Sequence, residues 1–262
     1  MTALDPRLAK RVKLSDGGLI TKMLDIANGI DDVIKLGRGD PDLDTPAHII
    51  KAGQEALANG ATHYTHPLGI EPLRAAIADN IRHYGGADYA NDEIMVTPGG
   101  QQGMFIIALS LLNPGDEIIV PCPGYNPYQQ AAEMSDAVVR KVPMTMETNF
   151  TLTAEMVEAH ITPKSKILVL INPNNPTGTV TPPDEVRKIA EVAKKHDLIV
   201  ISDEIYARLT FGNNTILPVA SLPDMKERTI TLSGFSKAYA MTGWRIGYLA
   251  GPRELIEPMS EV

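Results

Sequence analysis

Short, almost entirely apolar runs alternate along the chain with stretches whose apolar residues recur at helical spacing. Two of the runs, KILVLIN at 166–172 and DLIVISD at 197–203, are rich in β-branched residues, as strands buried on both faces of a sheet are. The apolar runs predict seven strands: Glu93–Thr97, Glu117–Pro121, Ala137–Val142, Ile167–Asn172, Leu198–Asp203, Thr229–Leu232 and Arg245–Ala250. The helical spacing predicts four helices between them: Gln101–Leu112, Tyr125–Ser135, Thr153–Ala159 and Pro183–His196. This alternation predicts an α/β three-layer sandwich with a mostly parallel seven-stranded sheet.

The two ends of the chain differ from this pattern. Residues 1–45 hold a short basic segment and a turn-rich run, so we expect an N-terminal arm and linker there rather than sheet. Thr45 and Pro46 predict the start of a helix, and residues 46–262 form the predicted large domain. The tail GPRELIEPMSEV is typical of a helix in its first turns, whose apolar face would be left uncovered. We therefore expect a chain that stops before its fold is complete.

Composition narrows the classes of function. The formal net charge of -8 argues against a nucleic-acid or anionic-membrane partner, since both need clustered Lys and Arg. No apolar run approaches the roughly 20 residues that cross a bilayer, and the N-terminus lacks the pattern of a secretory signal. Cys122 is the only cysteine, and the histidines show no zinc-binding spacing. We therefore expect no disulfide, no metal site and a cytoplasmic protein.

Residues with useful chemistry follow the predicted strands, where open α/β sheets bind their ligands. The first strand is followed by TPGGQQ at 97–102, which either binds an anion at a helix N-terminus or is a plain turn. The second is followed by PCPGY at 121–125, where Tyr125 either stacks on a flat cofactor or packs in the fold. The fourth is followed by NPNNPTG at 172–178, where an Asn amide donates to a ligand or the run is a polar turn.

The fifth and sixth strands carry the strongest candidates. Asp203 ends an apolar strand, so its carboxylate needs a positive partner such as a protonated pyridine nitrogen, unless it caps the next helix. Tyr206, three residues on, would reach another atom of the same ring. The sixth strand is followed by SGFSKAYAMTGWR at 233–245, where Lys237 is suited to form a Schiff base and Arg245 to hold a phosphate. A solvated surface lysine is the weaker interpretation, because its neighbours are small and apolar.

The run GFSKAYAMTGWRIG resembles the lysine-attachment signature of the class I/II aminotransferases, which are fold-type I pyridoxal-phosphate enzymes. It is accompanied, in the family's order, by GDPDLDTP, HYTHPLGIEPLR, NPNNPTG and SDEIY, so the resemblance covers essentially the whole chain. The resemblance implies pyridoxal 5'-phosphate as cofactor, an amino acid and a 2-oxo acid as substrates, and a homodimer. It also implies that an amino group moves between the two substrates by a ping-pong mechanism through Lys237.

The resemblance further implies a role for each matching residue. Lys237 corresponds to the lysine that holds the cofactor covalently and moves the substrate's α-proton, and Asp203 corresponds to the partner of the pyridine nitrogen. Tyr206 and Asn175 correspond to the pair at the ring's phenolic oxygen. The other positions match cofactor and substrate contacts: Gly100, Gln101 and Arg245 at the phosphate with Ser233 or Ser236, Tyr125 stacked on the ring, Tyr64 at the phosphate of a partner subunit, and Gly39, Tyr125 and Asn175 at the substrate.

The sequence departs from the family pattern at its end. Family members continue into a C-terminal small domain, to which residues 1–45 would also contribute, and that domain supplies the arginine that clamps the substrate's α-carboxylate. Arg253 does not match that arginine by position, so we expect a complete cofactor pocket and an incomplete substrate pocket. Two alternatives are a pyridoxal-phosphate lyase on the same scaffold and an inactive cofactor-binding fragment. A nicotinamide-binding Rossmann enzyme is disfavoured, since no G-x-G-x-x-G follows the first strand.

Overall fold

The computed structural model describes residues 5–9, 11–12, 19–34 and 39–262, which fall into two units, Met1–Asp42 and Leu43–Val262. The first unit contains helix α1, Leu19–Asn28, which was not among the predicted helices. The arm and linker predicted for residues 1–45 lie partly outside the described residues, so this assignment stays a prediction.

The second unit is built on one seven-stranded sheet. Its strands are β1 Ile94–Thr97, β2 Glu117–Cys122, β3 Val138–Pro143, β4 Ser165–Ile171, β5 Ile199–Asp203, β6 Thr229–Gly234 and β7 Gly247–Ala250. They lie in the order β1-β7-β6-β5-β4-β2-β3. Strand β7 runs antiparallel to β1 and β6, and the remaining neighbours pair in parallel. The predicted, mostly parallel sheet of seven strands is confirmed.

Helices cover both faces of the sheet. The helices of the second unit are α2 Ala47–Ala58, α3 Glu71–His83, α4 Gly100–Leu111, α5 Pro127–Met134, α6 Ala154–Ala159, α7 Pro183–Lys195 and α8 Arg253–Met259. Successive side chains of β4 point to opposite faces of the sheet. Ile167 and Val169 pack in the core on the side of α4 and α5, and Leu168 and Leu170 pack in the core on the side of α7. Within the described ranges the longest helices have 13 residues, and none is long and apolar enough to cross a membrane.

Several details of the second unit differ from the prediction. Helix α3 was not predicted, although its buried residues Ile77 and Ile81 recur at helical spacing. Strand β7 starts at Gly247 rather than at Arg245, which adopts a left-handed backbone conformation with φ 56° after a short 3-10 turn. The apolar face of the last helix is not uncovered, because Ile256 and Met259 are completely buried in the core that includes α4.

Candidate active site

The carboxyl ends of β4, β5 and β6 lie side by side at one edge of the sheet. In the register of these strands, Asp203 pairs with Ile171 on one side and with Leu232 on the other. The pairing continues just past the strands, since the Asn172 N–H donates to the Asp203 carbonyl at 3.0 Å and the Glu204 N–H donates to the Leu232 carbonyl at 2.8 Å. The loops that follow the three strands therefore begin at the same place.

Tyr206 joins the residues carried by these loops. The Asn175 Nδ2 donates to the Tyr206 Oη at 3.4 Å, and the Lys237 Nζ lies 5.9 Å from the centre of the Tyr206 ring. Burial and then the nearby charge of Asp203 raise the pKa of the Tyr206 hydroxyl, while the hydrogen bond from Asn175 acts in the opposite direction. Asn175, Asp203, Tyr206 and Lys237 are thus brought together, as the sequence predicts.

Asp203 is a buried carboxylate, with only 2% of its surface exposed. Its Oδ2 accepts a hydrogen bond from the Tyr128 hydroxyl at 2.8 Å, and its Oδ1 accepts one from the Ile205 N–H at 3.2 Å. Burial raises the pKa of Asp203 to about 6, because these two neutral donors only partly offset the cost of removing the charge from water. A cation placed beside this carboxylate would stabilise its ionised form.

Tyr128 was missed as a functional candidate. It lies in the first turn of α5, three residues after Tyr125, and its side chain is fully enclosed. Tyr125 itself is partly buried, and the pKa of its hydroxyl is raised by burial and by the charge of Asp203 but lowered by the charge of Arg245. Both tyrosines therefore lie on the α5 side of the sheet, close to Asp203.

Arg245 and the start of α4 form a positively polarised corner. Gly99 precedes α4 with φ 83°, and a Cβ atom there would collide with the Arg245 Nη2. A Cβ on Gly247 would lie 2.5 Å from the backbone nitrogen of Gly100, so glycine lets β7 approach the first turn of α4. A guanidinium beside a helix N-terminus attracts an anion through both its charge and the free N–H groups of the helix. Gln101 is exposed in the same first turn.

Four predicted residues are less closely tied to this site. The Ser233 hydroxyl donates to the Glu204 carbonyl at 3.3 Å and faces the opposite side of the sheet, so the structure does not bring it to the phosphate corner. Ser236 is half-buried directly before Lys237, and Tyr64 is fully exposed. Gly39 lies in the first unit, and its role stays a prediction. Ser233 thus lies away from the corner, and the role of Ser236 stays a prediction.

The opposite face of the sheet holds a cavity of about 650 Å³, which we call the α3 cavity. Its lining includes Glu204, Arg208, Tyr84 and Tyr248 but neither Asp203 nor Lys237. Burial raises the pKa of Glu204 to about 7, although the Ser202 hydroxyl donates to its Oε1 at 2.8 Å. The α3 cavity and the cluster around Asp203 are therefore different places.

Comparisons with known proteins agree with the geometry. The profile of the family "Aminotransferase class I and II" matches residues 31–262. A bifunctional aspartate aminotransferase and glutamate/aspartate-prephenate aminotransferase of Petunia hybrida is 41% identical over 231 residues, which are 88% of this chain and 48% of the relative. The aromatic-amino-acid aminotransferase 2 of Thermococcus litoralis is 38% identical over 253 residues, which are 96% of this chain and 65% of the relative.

A solved structure, the aspartate aminotransferase from Thermus thermophilus with maleate, superposes with a TM-score of 0.91 at 38% identity. The match covers 97% of this chain and 67% of that one. The chain thus spans about half to two thirds of the length of the relatives that it matches. Sequence profile, relatives and fold agree over nearly the whole chain, and it belongs to the class I and II aminotransferases.

Proposed function

We propose that this chain binds pyridoxal 5'-phosphate through Lys237 and carries out the transfer of an amino group between an amino acid and a 2-oxo acid. Members of the family are pyridoxal-phosphate enzymes. The observation that carries the proposal is the buried carboxylate of Asp203 at the same sheet edge as the Lys237 amine and the Asn175–Tyr206 pair. Such a cluster of perturbed groups is typical of a reaction centre.

The residues fit the cofactor group by group. Asp203 has neutral hydrogen-bond donors and a raised pKa, so a protonated ring nitrogen would supply the cation that stabilises it. The corner formed by Arg245 and the first turn of α4 suits a phosphate, with Ser236 as the candidate serine. Tyr125 is available to stack on the ring. In this proposal Gly100 and Gln101 contribute backbone N–H groups to the phosphate.

Each residue then has a defined task. The bound cofactor supplies an electron-withdrawing ring that stabilises negative charge at the substrate's α-carbon. Ionised Asp203 would keep the ring nitrogen of the cofactor protonated, and Tyr206 and Asn175 would donate hydrogen bonds to its phenolic oxygen. The Lys237 amine would accept the proton from the substrate's α-carbon and deliver it to the carbon of the cofactor that had carried the carbonyl oxygen. Tyr125 and Asn175 border the space where the substrate lies.

The substrates and the assembly are also part of the proposal. Relatives are named for aspartate, prephenate and aromatic amino acids, so acidic and aromatic amino acids are the donors to test first. We further propose a cytoplasmic homodimer in which the exposed Tyr64 reaches the phosphate of the partner subunit and Gly39 lies against the substrate carboxylate. Residues 1–45 contribute to the small domain in this proposal.

The decisive experiment is a single half-reaction. The chain is loaded with pyridoxal 5'-phosphate and mixed with aspartate or phenylalanine, and 2-oxo acid and ammonia are quantified. We expect 2-oxo acid in proportion to the bound cofactor, without ammonia. Release of ammonia would identify the lyase alternative, and bound cofactor without any product would identify a binding fragment.

Lys237→Ala is the matched control for this experiment. Borohydride treatment should fix the cofactor to the wild-type chain and leave none attached to the variant, because the only proposed carbonyl-binding amine is gone. Persistent trapping in Lys237→Ala, followed by peptide mapping to another lysine, would show that the lysine assignment is wrong.

A further inference from the structure

The turn after Lys237 contains two unusual backbone conformations. Ala240 and Arg245 adopt left-handed φ angles of 51° and 56°, which side chains other than glycine disfavour. The Ala240 N–H donates to the Lys237 carbonyl at 3.4 Å, so the lysine is joined directly to the turn. Such a conformation persists only where surrounding contacts hold it. The question is which contacts hold the turn Ala240–Arg245.

One hydroxyl group, distant in sequence, connects the two ends of the turn. The Thr45 Oγ1 donates to the Ala240 carbonyl at 2.5 Å and accepts a hydrogen bond from the Trp244 Nε1 at 3.1 Å. A hydroxyl can donate one hydrogen bond and accept others, so Thr45 satisfies both partners at once. Valine at this position would have the same shape and neither bond.

Helix α2 provides the second contact. A Cβ atom on Gly53 would lie 2.9 Å from the Trp244 ring, so the indole packs directly on the backbone of α2. Helix α2 buries none of its residues completely, which means that this contact adds little to the core. Trp244 directly precedes Arg245, whose guanidinium lies against Gly99 at the start of α4. A displacement of the indole would therefore move the arginine.

We propose that Thr45 and Gly53 are positioning residues that clamp the turn Ala240–Arg245 and thereby set Lys237 and Arg245 for cofactor binding. The proposal rests on the function proposed above. The hydroxyl of Thr45 fixes the two ends of the turn, and the bare backbone at Gly53 sets how closely the indole approaches α2. Neither residue touches the reacting atoms.

The first test compares Thr45→Val with Thr45→Ser in the full chain. We expect Thr45→Val to bind pyridoxal 5'-phosphate about tenfold more weakly, the effect of losing one well-placed hydrogen-bonding group, and Thr45→Ser to restore the affinity. Trp244 is the only tryptophan, so its emission reports on the clamp directly. The emission should shift in Thr45→Val and stay at the wild-type wavelength in Thr45→Ser.

Thr62→Val is the control variant, because Thr62 follows the other end of α2 and its hydroxyl donates to the nearby Gly60 carbonyl at 3.5 Å, a local contact far from the turn. It should leave both the affinity and the emission unchanged. Wild-type affinity and wild-type emission in Thr45→Val would overturn the proposal. Weakened affinity that Thr45→Ser does not restore would overturn it as well.

Gly53→Ala separates positioning from general stability. Alanine favours a helix more than glycine does, so a purely structural role predicts an unchanged or higher unfolding temperature and unchanged cofactor affinity. The clamp predicts that Gly53→Ala binds the cofactor more weakly. The unfolding temperature of the cofactor-free variant should not fall. Unchanged affinity in Gly53→Ala would count against the clamp. If the wild-type chain itself bound no cofactor, the proposed function would fail instead, which keeps the two failures distinct.

Discussion

Asp203 and Glu204 are neighbours in the chain, yet their side chains lie on opposite faces of the sheet. Asp203 accepts a hydrogen bond from Tyr128 of α5, whereas Glu204 accepts one from Ser202 and lines the α3 cavity. Burial raises the pKa of both, to about 6 and about 7. Judged by the raised pKa alone, Asp203 and Glu204 are equally good candidates for a catalytic carboxylate.

The neighbours of the two carboxylates differ. Asp203 shares its surroundings with Tyr125, Tyr206 and, through Tyr206, Lys237. Glu204 shares the α3 cavity with Arg208, whose guanidinium stacks on the Tyr84 ring and donates to Asn80. A raised pKa therefore reports burial, whereas an amine and an anion-binding corner near the carboxylate indicate a reaction centre.

The largest expected contrast is in proton exchange at the substrate's α-carbon. Asp203→Asn should slow this exchange by about 10²–10³-fold, because a neutral amide no longer stabilises the protonated ring nitrogen. Glu204→Gln, which makes the same chemical change on the other face, should leave the rate within about threefold of wild type, since Glu204 lines a cavity that neither Asp203 nor Lys237 lines. Loss of deuterium from an α-deuterated amino acid, followed by NMR, measures both.

Two outcomes would break this contrast. Wild-type exchange in Asp203→Asn would remove the proposed role of Asp203 at the ring nitrogen. An equally slow Glu204→Gln would mean that the two carboxylates act as a coupled pair and that the α3 cavity belongs to the reaction centre. Cofactor content is measured in both variants, so that exchange is compared per bound cofactor.

A smaller effect is expected from Tyr128→Phe. The Tyr128 hydroxyl lowers the pKa of Asp203, so its removal should raise that pKa further above its present value near 6. Binding of a cationic ring requires ionised Asp203, and acidification should therefore weaken cofactor affinity at a higher pH in the variant than in wild type. We expect affinity at neutral pH to fall by about fivefold to tenfold, the effect of one hydrogen bond to a charged group.

Ser202→Ala is the matched control on the other face, because it removes the hydroxyl that donates to Glu204. The pH at which cofactor affinity declines should be the same in this variant and in wild type. A shift in Ser202→Ala as large as that in Tyr128→Phe would contradict the assignment of the two faces.

The sequence predicts one part of this site well, for a physical reason. Parallel strands end at the same edge of a sheet, so residues that directly follow β4, β5 and β6 are brought together by register alone. Register groups Asn175, Tyr206 and Lys237 even though the predicted end of β6 was two residues too early. Tyr128 could not be found in this way, because its partner Asp203 lies 75 positions away and on a different element.

Two other differences from the prediction concern the end of β6 and the packing of the last helix. Strand β6 was predicted to end at Leu232 but continues to Gly234, and strand alternation then turns Ser233 away from the face of Leu232. The last helix was expected to leave its apolar face uncovered, since nothing local shows that α4 packs against it. Both the end of the strand and the covering of the helix depend on tertiary packing, which the local sequence does not show.

The smallest expected effect concerns how the stability of the cofactor-free protein depends on pH. In the unfolded chain both carboxyls titrate near about 4. With folded pKa values of about 6 for Asp203 and about 7 for Glu204, the folded state retains protons that the unfolded state has lost. The free energy of unfolding should therefore fall as pH rises from about 4 and level off above about 7.

Asp203→Asn and Glu204→Gln should each remove their own part of this fall, about 1 kcal/mol or more by linkage, measured by urea unfolding between pH 4.5 and pH 8. The folded pKa of Asp203 is the lower of the two, so Asp203→Asn should flatten the plot of unfolding free energy against pH mainly below about pH 6. Glu204→Gln should flatten the same plot up to about pH 7. Wild-type curves in both variants would mean that neither carboxyl is protonated by burial. A change confined to Glu204→Gln would mean that the hydrogen bonds from Tyr128 and Ile205 already keep Asp203 ionised, which makes it the better prepared partner for a cation.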